Sequence, residues 1–432
     1  MNLETALEWL WNITEGLILL LTQPFYYIAI LFIILQYRRQ VVLERKLFHV
    51  RLHGWGQQTW RTFVSGLASG ICVSLVMVFL GISLTTEAII LIWVISLILM
   101  LFRVRYLCFA YTIGLLGVIQ AVLGWLPEPN ASGVIGSIID TIAGLDIPAL
   151  LVLVALLHIA EAVLVRGQGA SFAGPLFYEG KRGKLVGGYQ MQSFWPVPLF
   201  LLIPAQTTGS LLPWTPLFGG AGWNNGFTLM ALPVLIGFTE MTQSMLPREK
   251  TRLTSKRLLL YSIVLLVLAL LSHWWSPLII GASLASFVLH ELLVWLAGLE
   301  EQSKSPIFVH PAQGLRVLAV LPGSPAAELG ISAGETIRKV NGMAVNNKEQ
   351  LHLALRSNSA FCKLEVQNVQ GELKFLQRGI YAGEHHQLGI ILAPDDDAEA
   401  AVRTRPMSIF NMLLPSENRS KKSSERLTNT EI

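Results

Sequence analysis

Near residue 300 this 432-residue chain changes solvent. Upstream, apolar stretches long enough to cross a bilayer follow one another with short loops between them. Downstream, from about Pro306 to Pro394, the residues read as one small soluble domain. The upstream part must satisfy its backbone hydrogen bonds within the protein, because hydrocarbon offers no partners. The downstream part folds in water. Averages blur this division: the chain is 53% hydrophobic and 14% charged. A globular protein carries about 25% charged residues, and the deficit lies almost wholly before the seam.

Apolar runs fall at roughly 16–37, 62–84, 86–102, 106–126, 147–165, 194–213, 226–246, 257–275 and 277–298. A spanning helix needs about 20 apolar residues, so residues 1–300 are expected to form a polytopic α-helical membrane domain with about nine transmembrane segments. The run at 194–213 holds Pro196, Pro198, Pro204 and Pro213, so it should cross irregularly. The seventeen Lys and Arg residues before position 300 fall into four groups: Arg38 to Arg61, Arg103 with Arg105, Arg166 to Lys184, and Arg248 to Arg257. The alternate loops, around 85, 127–146, 206–226 and 276, contain none. That asymmetry predicts an N-terminus outside and residue 300 inside. Residues 1–15, with Trp9 and Trp11, could instead lie at the interface. Their acidic residues, Glu4, Glu8 and Glu15, are the reverse of a signal peptide's basic start.

Six ionisable residues sit in or beside these runs: His158, Glu161, Glu240, His273, His290 and Glu291. Such residues are costly in hydrocarbon and draw attention to function, but polar side chains also serve as contacts between membrane helices. His290-Glu291-Leu292-Leu293-Val294 resembles the start of a zinc-protease HExxH helix. Val294 stands where the second histidine ligand is needed, and a catalytic zinc requires about three protein ligands. Ser283 lies in Gly-Ala-Ser-Leu, without the glycine that follows a rhomboid nucleophile. Cys72, Cys108 and Cys362 form neither a disulfide framework nor a metal-ligand spacing. No enzyme, cofactor or metal is expected. The net charge of +4 is spread over loops between apolar runs and does not point to nucleic acid.

In the soluble part, Leu315 to Val320 reads as a strand that ends at Pro322-Gly323. Ser324 and Pro325 open a short helix, which Gly330 ends. Thr336 to Val340 is a strand turning at Asn341-Gly342, the strongest short turn signal in the domain. Asn347 to Arg356 is helical, with Leu351, Ala354 and Leu355 on one face. A hairpin follows around Gln370-Gly371, and Gln387 to Leu392 closes the domain as a strand.

The run from Pro322 to Gly342 (P-G-S-P-A-A, then G-E, then V-N-G) resembles the bacterial permuted PDZ family. Glu335 stands where that family usually has Asp. The resemblance implies a small, β-rich α/β PDZ-like domain over 306–394. It also implies a groove that takes an extended peptide as an added strand. A carboxylate loop of the form x-Φ-G-Φ would then be Gln387-Leu388-Gly389-Ile390, unless Leu388 to Leu392 is only a closing strand. Lys348, His352 and Arg356 share a helix face and would line the groove rim, favouring acidic or carboxylate-ended partners, unless they are simply a solvated face.

From residue 395 to 432 the chain reads as a disordered tail. It contains an apolar island at Met407–Leu414 and ends Thr430-Glu431-Ile432. The layout of N-out membrane array, cytoplasmic PDZ-like domain and no protease motif resembles the MinJ family. This implies a scaffold of bacterial division-site selection in the cell membrane, found at septa and poles. Its expected partners are DivIVA-like, MinD-like (with MinC) and divisome proteins, together with the lipid bilayer. A transporter or channel with a regulatory PDZ domain, and a PDZ-regulated intramembrane protease, are the other classes open to such a chain.

Overall fold

The computed structural model describes residues 3–126, 133–180, 184–204, 214–218, 226–358, 360–379 and 387–395. The tail beyond residue 395, with its apolar island and terminus, lies outside them. The architecture is a helical membrane domain followed by a small β-rich domain. Five helices are long and apolar enough to cross a membrane: α2 (Pro24–Phe48), α3 (Trp55–Leu80), α7 (Ile147–Leu164, continued by a π turn to Gly169), α8 (Pro247–Trp274) and α9 (Leu278–Ser303). α1 (Leu3–Thr22) precedes them, ending where Pro24 starts α2. α4 (Thr86–Phe102), α5 (Phe109–Leu123) and α6 (Val134–Ala143) are shorter.

The described parts of the runs at 194–213 and 226–246 differ from the helical crossings expected of them; residues 205–213, with Pro213, lie outside the described residues. They form two long antiparallel strands, β2 (Leu185–Pro204) and β3 (Phe227–Thr242), with β1 (Ala173–Glu179) beside the base of β2. Proline explains the difference. In a helix each proline forfeits a bond and clashes with the preceding turn. In an antiparallel strand only alternate residues bond to a given neighbour. Pro196 and Pro198 share one parity, and Pro198 pairs with Pro233. The backbone at these positions faces away from the β2–β3 ladder, so the missing N–H groups cost it nothing.

The outer edge of β2 is covered by α3. The Pro196 and Pro198 carbonyls abut Gly66 and Gly70, where an added Cβ would lie 2.3 and 2.4 Å from those oxygens. One turn on, Ser74 Oγ accepts the Phe200 N–H at 2.8 Å and donates to the Gly70 carbonyl at 2.7 Å. Small residues every fourth position let the helix backbone approach the strand. At the outer edge of β3, Gln23 Nε2 donates to the Ala231 carbonyl at 3.0 Å.

The molecule divides into two compact units. The one just described holds the described residues of 3–82, 155–264 and 291–395. The other holds residues 83–154 and 265–290. Its helices also pack through small residues. Gly114 and Gly117 lie against Ser283 and Phe287, Ser286 Oγ donates to the Ala110 carbonyl at 2.9 Å, and Ser96 pairs with Thr112 at 2.8 Å. Gln120 Nε2 reaches the Leu145 carbonyl at 2.7 Å, tying α5 to the turn after α6.

The C-terminal domain is a sheet in the order β8-β7-β5-β4-β9, with β6 paired to β5. The strands are β4 (Leu315–Val320), β5 (Thr336–Val340), β6 (Met343–Ala344), β7 (Phe361–Gln367), β8 (Leu373–Gly379) and β9 (Ile390–Leu392). Its helices are α10 (Pro325–Glu328) and α11 (Lys348–Arg356), capped by Ser324 and Asn347. Asn341 and Gly342 take positive φ, 50° and 83°, at the expected turn. Asn341 also bonds to the Ala354 carbonyl and to the Lys363 N–H, so the turn joins α11 to β7. Leu315, Val317, Ile337, Val340, Leu351, Leu355, Leu364 and Val366 form the core.

Replacing Gly70 by leucine should destabilise the protein by about 1–3 kcal/mol or more, the cost of overpacking, because the neighbour is backbone. Gly56 has open space around it, so Gly56→Leu is the control. Thermal denaturation in detergent checks this; equal midpoints for the two variants would refute the helix–strand contact.

The candidate peptide groove and its seat

The C-terminal domain sits on the base of the hairpin. β3 leaves β2 after the Tyr189–Thr242 pair, and the linker after α9 takes up the vacated edge. The Gly187 N–H donates to the Phe308 carbonyl and the Ile307 N–H to the Gln243 carbonyl, both at 2.8 Å. Phe308 is fully buried. Its ring meets Tyr189 edge-on at 5.4 Å, and the Tyr189 hydroxyl donates to the Leu318 carbonyl. Gly187 makes the room: a Cβ there would lie 2.9 Å from Phe308 and 3.1 Å from Leu318. Leu318 therefore points out of β4 into the seat, while Leu315 and Val317 point into the domain core.

Charged side chains brace the same place. Glu301, at the end of α9, accepts the N–H groups of Gln243 and Ser244 and the Ser244 hydroxyl at 3.0–3.3 Å. Lys250, fully buried, lies 3.6 Å from the other Glu301 oxygen. Arg257 and Lys304 both bind Glu300. The turn that receives Ile307 is thus held by the helix that leads into the linker.

The groove is built on the far side of β4. β9 pairs with β4 on one edge, and among the described residues no strand occupies its other edge. Leu388 is buried, and Ile390 and Leu392 pack on the core that contains Leu351, Ala354 and Leu355 of α11. Gly389 has φ +70°, and a side chain there would strike Ser324, with its Cβ 2.4 Å away. The carbonyls of Leu388 and Gly389 are taken by the Ala326 and Leu321 N–H groups at 2.9 Å. This turns the loop's N–H groups the other way. Among the described residues nothing accepts from the Leu388 and Gly389 N–H groups. Two adjacent backbone donors beside a buried leucine suit a carboxylate with an apolar side chain behind it.

On α11, Lys348, His352 and Arg356 are exposed and border the buried Leu351/Leu355 stripe. Lys348 Nζ reaches Asp395, past the end of β9, at 3.1 Å. Glu335, the departure from the usual aspartate, is buried. It accepts the Ser332 N–H at 3.1 Å and pairs with Lys374, so its extra methylene reaches from the loop to β8. Burial pushes the Cys362 thiol up to about 11.

Three of the six ionisable residues of the membrane part, His158, Glu240 and His290, make contacts between elements. His158 meets the Tyr261 ring at 5.2 Å, and Tyr111 bonds to His290 Nδ1 at 3.0 Å. Thr254 donates to Glu240 at 2.7 Å. Three determinants escaped the sequence reading: Phe308 with Gly187, the Gly66/Gly70/Ser74 stripe, and Asp395. The first two had signals, a lone aromatic in a polar linker and small residues at a spacing of four.

A family model for the PDZ domain matches residues 316–367, which run from β4 through β7. Over most of its length the chain is similar to the cell division topological determinant MinJ of Bacillus subtilis (strain 168). The two are 31% identical over 368 residues, 83% of this chain and 89% of the relative. The chain belongs to the MinJ family. Probable MinJ determinants of Lacticaseibacillus paracasei and Lacticaseibacillus casei (strain BD-II) are each 27% identical over 374 residues, 82% of this chain and 91% of theirs. These names describe determinants of division topology, not enzymes. The MinJ match spans the membrane domain as well as the PDZ domain.

Phe308→Ala should weaken the seat by about 3–5 kcal/mol, as for other buried aromatics. Limited proteolysis should then cut after Lys304 much faster while the PDZ core stays resistant; an unchanged rate would refute the seat. Cys362 should resist maleimide at pH 8 in the folded protein and label only on unfolding.

Proposed function

We propose that this MinJ-family chain is a membrane-anchored scaffold of division-site selection, bridging a DivIVA-like protein at curved membrane to a MinD-like ATPase and to divisome proteins. The observation that carries this reading is the similarity to MinJ over both parts of the chain, joined to a groove open along β9. Leu388, Gly389 and Ile390 form the carboxylate loop, and Lys348 and His352 form the rim. Anchoring confines partners to the membrane surface and raises their effective concentration, so a groove of modest affinity suffices.

The nine runs keep their order as seven helices and two strands: α2, α3, α4, α5, α7, β2, β3, α8 and α9. If all nine cross, the four basic groups fall on one side and the PDZ domain shares it. The N-terminus is then outside. The hairpin supports this sidedness by returning to the face it leaves, which puts Lys184 and Arg248 together.

A fluorescent fusion should gather at septa and poles, and a uniform membrane signal would count against the scaffold. Topology reporters after Trp125, Trp214 and Ser276 should report outside, and those after His53 and Leu246 inside. An inside report at Trp214 would overturn the crossing of the hairpin and leave the rest standing.

A further inference from the structure

Beyond the carboxylate loop, the open slot beside β9 ends at Asp395, whose role the reading above leaves open. Asp395 lies three residues past β9 and faces a lysine and a histidine from two elements. Its Oδ2 is 3.1 Å from Lys348 Nζ, at the start of α11, and its Oδ1 is 3.3 Å from His310 Nδ1, in the linker before β4. Next to it, Ala393 is fastened by its N–H to the Arg316 carbonyl at 2.8 Å. The chain therefore carries its own carboxylate to the end of the slot opposite Gly389.

A peptide added antiparallel to β9, with its terminus on the Leu388 and Gly389 N–H groups, runs toward this end. Gly389 and Asp395 are six positions apart, about 20 Å at about 3.3 Å per residue. A ligand side chain four to six residues before its terminus thus comes level with Lys348. We propose that Asp395 is an internal stand-in for an acidic ligand residue. On this view the slot selects C-terminal segments that end in an apolar residue and carry a carboxylate four to six positions earlier, which takes over Lys348 and His310 as Asp395 is displaced. With Lys348 half exposed, the ion pair contributes little to stability, so the exchange is cheap and its gain modest, about three- to fivefold in affinity. The proposal rests on the groove reading above and adds the class of sequence that the groove prefers.

Selection from a library of random seven-residue C-termini displayed on phage, against the full-length protein in nanodiscs, tests it. The selected pool should be rich in Ile, Leu or Val at the end and in Asp or Glu four to six positions before it. Lys348→Glu should move that enrichment to Lys or Arg. Asp395→Asn should tighten a selected acidic peptide about threefold while leaving its Gln counterpart nearly unchanged. An apolar terminal preference with no upstream charge preference, in both wild type and Lys348→Glu, overturns the stand-in and leaves the groove intact. No terminal preference at all overturns the groove reading and the stand-in with it.

Discussion

A strand edge presents a backbone donor and acceptor at every second residue, and in apolar surroundings each needs a partner. β2 meets this demand at three successive edge positions. Pro196 and Pro198 have no N–H to satisfy, their carbonyls rest on the bare Cα atoms of Gly66 and Gly70, and Ser74 takes the amide of Phe200, next on the same edge. The close approach of α3 to the strand follows from this. With its edge settled, the hairpin can be long, and its base can extend beyond β3 to receive the linker.

The seat of the PDZ domain uses the same device at the other end of β2. Where β3 departs, Ile307 and Phe308 replace it with main-chain bonds, and Gly187 leaves space for an aromatic ring. Glu301 makes the receiving turn rigid by accepting three donors. The contact reaches β4 through Leu318 and Tyr189, and β4 is the strand on which β9 is laid. One strand thus separates the open edge of β9 from the membrane domain.

Much of this was legible in the residues. The seam, the Ser324 cap, the Asn341-Gly342 turn and the apolar stripe of α11 depend on local chemistry, and each appears where the sequence places it. The hairpin was not read correctly, because hydropathy over twenty residues scores an apolar strand and an apolar helix alike. The discriminating signal was there: Pro196 and Pro198, two apart, fall on the same edge of a strand but on different faces of a helix. Asp395 gave no local signal, since its partners Lys348 and His310 are brought to it only by the closing of the sheet.

A helix that fails to insert reverses the side of everything after it. A hairpin does not, since both its ends stay on one face however deep it reaches. Placing β2 and β3 between α7 and α8 therefore inserts a broad apolar element in mid-chain without making the sidedness of later helices depend on it. If the helices cross as proposed, α8 and α9 take their orientation during synthesis from the helices already placed, and the domain that follows emerges on the same face whether or not the strands have yet paired.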